Sequence, residues 1–172
     1  MDLMRRGLTA LALASVLIAT SVAQDGQPLL PAAQRVGQGD FKRLGWSIYQ
    51  ASLWAPEGQY TPGQPFALSL TYAFDISRSR IVDASLDEMA RLGAPVNARQ
   101  EWRGDLERVL RDVSKGHTLT AVYQPGEGAS FFYNNMPTGQ LNDALSRQFF
   151  AIWLDPRTSE PDLRAALLGQ AK

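Results

Sequence analysis

The stretch FFAIWLDPRTSEPDLRAALLG, Phe149 to Gly169, reads as two helices joined by a sharp corner. The first is apolar and ends at Trp153-Leu154, where Asp155-Pro156 stops it. Proline has no N–H to donate, and it biases the residue before it away from the helical region. Ser159 is placed to cap the second helix, with Asp162 three residues on. Pro161 falls in its first turn, where a missing N–H costs nothing. Followed backwards, the apolar pattern extends the first helix to Leu141. The closing elements are therefore Leu141–Leu154, with Phe149, Ile152 and Trp153 turned to a core, and Pro161–Leu168.

That core needs a sheet, and the sheet is readable upstream. Phe66, Leu68, Leu70, Tyr72 and Phe74 alternate with Ala67, Ser69, Thr71 and Ala73. Period two puts every large side chain on one face of a strand and every small one on the other. Phe41 to Trp54 reads as a strand or bent hairpin, with Leu44, Trp46 and Ile48 on one face and Tyr49, Ala51 and Leu53 on the other. Pro56, Gly58, Pro62 and Gly63 then break the chain.

Arg78 to Leu92 predicts a helix with a stripe of Ile81, Ser85, Met89 and Leu92, stopped at Gly93. Asn97 with Gln100 predicts a capping box for another, running through Val113 on Trp102, Leu106 and Val109. Thr118–Tyr123 and Ser130–Tyr133 are short strands joined by Gln124-Pro125-Gly126-Glu127-Gly128. Strands, two helices, a hairpin and two more helices argue for an α+β fold, a mostly antiparallel sheet covered by a layer of helices.

The N-terminus carries an export signal: basic Arg5 and Arg6, an apolar run from Leu8 to Ala19, and small residues at Ser21 and Ala23 around Val22. The run falls short of the ~20 residues a spanning helix needs. Cleavage after Ala23 divides the chain into a signal peptide (1–23), a loose lead-in (24–40) and one domain (41–172). The expected location is periplasmic or secreted, with no transmembrane segment after cleavage.

With 17 basic and 17 acidic residues in the whole chain, loss of Asp2, Arg5 and Arg6 leaves the mature protein one negative charge from neutral. That is not the footprint of a nucleic-acid binder, and none is expected as a partner. No cysteine is present, so thiol chemistry, CxxC haem attachment and cysteine-based zinc sites are excluded. His117, the single histidine, lies in a turn entering a strand. Asp83, Asp87, Glu88, Glu101, Asp105 and Glu107 are interleaved with arginines on helix faces, which predicts solvated ion pairs. Gly37-Gln38-Gly39 follows no strand and opens no helix, so it is not read as a phosphate loop. No metal site or cofactor is expected.

Taken with GWSIYQASLWAP (Gly45–Pro56), the Phe149–Gly169 stretch resembles the bacterial, exported branch of the chalcone isomerase-like proteins. The resemblance implies an antiparallel sheet covered by helices, with a hydrophobic ligand between the layers. Plant chalcone isomerases close a flavanone ring there; the related fatty-acid-binding proteins hold a fatty acid whose carboxylate an arginine grips. An arginine suits that role because its planar fork pairs bidentately with an oxyanion.

Carried over one position at a time, the isomerase arginine falls on Phe41, with Lys42 and Arg43 adjacent, and the strand threonine on Tyr49. The catalytic tyrosine and asparagine fall on Ser77 and Ala84, and a late polar residue on Ala151. Ring closure needs placed donors for the developing enolate, and most are absent. The expectation is a non-catalytic periplasmic binder of a fatty acid or phenolic compound. Tyr49 with Lys42 or Arg43 would anchor the polar end, and Trp46, Tyr72, Phe131 and Trp153 would form apolar walls. A lyase or isomerase acting on a chalcone-like or enone substrate is one alternative. The other is a scaffold protein of a periplasmic complex, in which the cleft has collapsed into core.

Overall fold

The alternation of FALSLTY is realised in β3 (Phe66–Tyr72), where Phe66, Leu68, Leu70 and Tyr72 are buried on one face and Ala67 and Ser69 on the other. The computed structural model describes residues 29–170, so the expected signal peptide (1–23) lies outside the described residues. Around β3 runs one six-stranded antiparallel sheet in sequence order, β1 (Ala33–Arg43), β2 (Trp46–Pro56), β3, β4 (Thr118–Gln124), β5 (Gly128–Tyr133) and β6 (Met136–Leu141). Four helices join it: α1 (Arg78–Arg91), α2 (Arg99–Val109), α3 (Asp143–Leu154) and α4 (Pro161–Leu167). The fold is α+β, as expected.

All four helices bury side chains in one cluster with a single face of the sheet. Leu53, Leu68, Ala121 and Phe131 meet Val82 and Met89 of α1, Leu106 of α2, Phe149 and Trp153 of α3, and Leu167 of α4. On the opposite face Ala67 and Val122 carry only Leu30 and a few half-buried neighbours. The small residues of β3 thus sit under one turn of chain.

Several expectations are corrected. Residues from Ala33 onward are not a loose lead-in but β1, paired with β2 from Ala33↔Pro56 to Arg43↔Trp46. Gly37 and Gly39 look like loop composition, yet they are bare because α4 lies against them. A Cβ on Gly37 would come within 2.1 Å of the Ala166 carbonyl oxygen, and one on Gly39 within 2.8 Å of the Ala166 Cβ. The edge strand β6 was hidden by Pro137 and Gly139, which an edge tolerates. It takes Leu141, so α3 begins at Asp143, capped by Asn142 through its acceptance of the Leu145 N–H at 2.9 Å.

Asn97 lies inside a 3₁₀ turn (Val96–Ala98) and forms no capping box. α2 stops at Val109, and Val113 forms a bridge with Ile76 instead. Ser159 does not cap α4 either: the cap position is Glu160, and the Ser159 N–H donates to Glu88 Oε1 at 3.1 Å. Phe74 lies beyond the end of β3 and is exposed.

Candidate ligand cavity

Between the sheet and the helices lies a cavity of about 510 Å³. Leu68, Leu70 and Tyr72 of β3, Leu119 and Ala121 of β4 and Phe131 of β5 form its floor. Ile81, Ala84 and Ser85 of α1 and Phe149, Ile152 and Trp153 of α3 form its roof. Phe149 meets Phe131 of β5 edge-on across the layers, ring centres 5.3 Å apart, and Trp153 one turn along its own helix at 5.2 Å. A cleft is therefore present beside Tyr49; it has not collapsed into core.

Tyr49 stacks on Phe41 at 4.9 Å and meets Tyr72 edge-on at 5.6 Å. Its hydroxyl oxygen accepts the Trp153 Nε1–H at 3.0 Å, which satisfies the indole and leaves the phenol proton free toward the cavity. Burial pushes the Tyr49 hydroxyl up, opposed only in part by the Trp153 bond. Burial, reinforced by Tyr49, does the same to Tyr72. Both phenols stay protonated at neutral pH and act as donors, not as bases.

The opening carries charge. Arg43, Arg80, Asp87, Glu88, Arg91 and Glu160 line it. Asp87 pairs with Arg99 at 2.5 Å, and Arg43 lies over the Phe41 ring, 3.8 Å from Glu160. Arg91 grips Glu88 through Nε and Nη2 at 2.8 and 2.7 Å, which holds the Glu88 carboxyl below the usual carboxylate range. Among the described residues no carboxylate lies within ion-pair distance of Arg80, so at the opening one guanidinium is left over. Arg80 stands in the first turn of α1, whose cap Ser77 accepts its backbone N–H at 3.5 Å.

Of the expected site residues, the structure brings together Arg43, Tyr49, Tyr72, Phe131 and Trp153. It excludes two. Lys42 is exposed opposite Ser47: alternation along β1 puts Phe41 and Arg43 on the cavity side and Lys42 on the other, while the bulge falls on β2 at Ile48. Trp46 is exposed against Phe74, not in the wall. Arg80 and Glu88 were missed, and Ala84 was placed only as the position of the lost isomerase asparagine. Their i, i+4, i+8 spacing beside the buried stripe was the signal for a helix edge facing a cavity.

Among the positions matched to the isomerase site, Phe41 and Ala84 line the cavity without a polar group, and Ser77 is spent capping α1. His117 lies elsewhere, closing the turn into β4: its Nδ1 accepts the Ser114 N–H at 3.0 Å and lies 2.6 Å from the Tyr133 hydroxyl. Of the acidic residues expected to pair on the helices, all but Glu101 form ion pairs, including Arg103 with Asp83 at 2.5 Å and Arg108 with Asp105 at 2.7 Å.

Residues 36–169 match the family described as chalcone isomerase-like, and the chain belongs to that family. A crystal structure of a fatty-acid binding protein from Arabidopsis thaliana is similar to it, with a TM-score of 0.62. That similarity covers 81% of this chain and 88% of the plant protein at 12% sequence identity, which shows a shared fold. No curated relative matches the sequence.

Proposed function

We propose that this member of the chalcone isomerase-like family is an exported, non-catalytic binding protein for an apolar small molecule with one anionic end, such as a fatty acid. The observation that carries the reading is the arrangement at the opening: an apolar cavity of about 510 Å³ with one guanidinium, Arg80, left without a carboxylate. The volume lies in the range of small-molecule sites. Each buried methylene of a tail contributes roughly 0.8 kcal/mol, so the tail supplies affinity and the headgroup supplies orientation. Arg80 pairs with the carboxylate, and the Tyr49 and Tyr72 phenols donate beside it. The fold shared with a fatty-acid binding protein supports the same reading.

The test compares a long-chain fatty acid with its methyl ester. Arg80→Met is expected to weaken the acid at least tenfold, a loss of ~1.4 kcal/mol or more, and to leave the ester within about twofold. Equal loss for both ligands overturns the assignment of Arg80. Absorbance of chalcone is expected to decay at the buffer rate, since Ala84 and Phe41 supply no donor; measurable turnover overturns the non-catalytic reading. Export is tested by N-terminal sequencing of the chain from the periplasm, expected to begin at Gln24.

A further inference from the structure

The β1–β2 connection is built from Arg43-Leu44-Gly45-Trp46, and both central residues have positive φ, Leu44 at +49° and Gly45 at +82°. This is the two-residue hairpin turn that asparagine, aspartate and glycine favour. The chain solves the same geometry conventionally at the β5–β6 turn, with Asn134 at +47° and Asn135 at +66°. At the first turn it places leucine, which the left-handed region disfavours and which is 98% exposed. Neither the backbone nor solvation accounts for that side chain.

Nor is it alone. Trp46 is 68% exposed and meets Phe74, itself 42% exposed, edge-on at 6.3 Å. Lys42 and Arg43 flank the apolar group, and Lys115 lies at the same end of the sheet. The carboxylates at this end are Asp75, which accepts the Lys115 N–H, and Glu160 beside Arg43; Asp40 shares the face of Lys42 but lies two residues farther from the turn, so the cations stand nearest the tip. Arg43 and Tyr72 both line the cavity, which puts this apolar tip beside its opening.

We propose that the β1–β2 turn is a bilayer-docking tip. Leu44, Trp46 and Phe74 enter the apolar boundary of an anionic lipid surface, and Lys42 and Arg43 meet its headgroups. Exposed tryptophan and leucine flanked by lysine and arginine match the chemistry of that boundary, where aromatic rings sit at headgroup depth and cations meet negative charge. Docked this way, the protein turns the cavity opening toward the lipid. The inference stands on turn geometry and exposure and holds whatever the cavity contains.

The experiment measures tryptophan quenching in the chain from Gln24 onward by vesicles of acyl-brominated phosphatidylcholine, with and without phosphatidylglycerol. Quenching is expected with the anionic vesicles, to weaken in high salt, and to vanish in Trp46→Phe, which retains Trp54, Trp102 and Trp153. Leu44→Asn installs the favoured Asn-Gly turn, so it folds at least as stably as the parent. It should need about tenfold more lipid for the same quenching. No quenching, quenching that survives Trp46→Phe, or an unchanged lipid requirement in Leu44→Asn overturns the proposal. So does a dimer in sedimentation that Leu44→Asn breaks and lipid does not, which would make the tip an interface between copies.

Discussion

Tyr49 joins the two layers through one hydrogen bond, from the indole of buried Trp153 to the phenol oxygen. Tyr49→Phe leaves that indole N–H without an acceptor, which costs ~1–3 kcal/mol for a buried donor. At roughly 2–4 °C per kcal/mol, calorimetry should find the melting temperature lowered by several degrees. Trp153→Ala removes the ring as well and is expected to cost ~3–5 kcal/mol, enough to leave a domain of ordinary stability marginal. An unchanged melting temperature in either variant would mean that the contact does not hold the layers. Tyr49 was readable from sequence as a hydroxyl facing the core. Its bond to Trp153, 104 residues away, was not.

Among the elements, β1 and α4 depend most on a missing side chain. The Gly37 Cα faces the backbone of α4, and a Cβ there would stand 2.1 Å from one carbonyl oxygen and 2.6 Å from the next. Gly37→Ala must therefore push the helix outward. A cost of 1–3 kcal/mol or more is expected in denaturant titration, whereas Gly104→Ala, with nothing within 4 Å on a helix, should be neutral or stabilising. The Asn142 cap of α3 is a second element-scale test: Asn142→Ala should cost ~1 kcal/mol. Helix existence and phase were legible because the 3.6 period survives in local sequence. Helix starts were less so: Asn97 and Ser159 have the right chemistry for caps but the wrong backbone context, and Ser159 was recruited by Glu88 of another helix.

Across the whole molecule, α1 is fastened to the α3–α4 corner by a small charged clasp. Glu88 accepts from Arg91 and from the Ser159 N–H, Arg91 donates to the Arg157 carbonyl, and Asp155 accepts from the Arg157 guanidinium and N–H. Arg157 lowers the Asp155 carboxyl from its usual 3.8 to about 2, and Arg91 lowers Glu88. Both carboxyls thus favour the fold above their unfolded pKa values, and that contribution disappears as pH falls through the folded ones. The melting temperature should decline between about pH 4 and about pH 2. Asp155→Asn should melt lower at neutral pH and lose less over that window. A parallel decline in both proteins would assign the acid sensitivity to other groups. The clasp also borders the cavity, so ligand should raise the melting temperature of the parent by mass action.

Local sequence alone determined the α+β class, the buried face of β3, the polar faces of the helices and the Asp155-Pro156 corner. Each rests on periodicity or on the backbone chemistry of proline, which a few consecutive residues carry in full. Family resemblance located the aromatic and tyrosine side of the site. Tertiary structure decided the rest. It turned a glycine-rich lead-in into β1, because only the approach of α4 explains glycine there. It chose Arg43 over Lys42, because the pairing of β1 with β2 puts Phe41 and Arg43 on the inward face and Lys42 on the other. It brought Arg80 to the cavity and expelled Trp46 from it. Which side chains share a cavity depends on the register between strands and the distance between layers. Those are set by contacts between segments far apart in the chain, and no local window contains them.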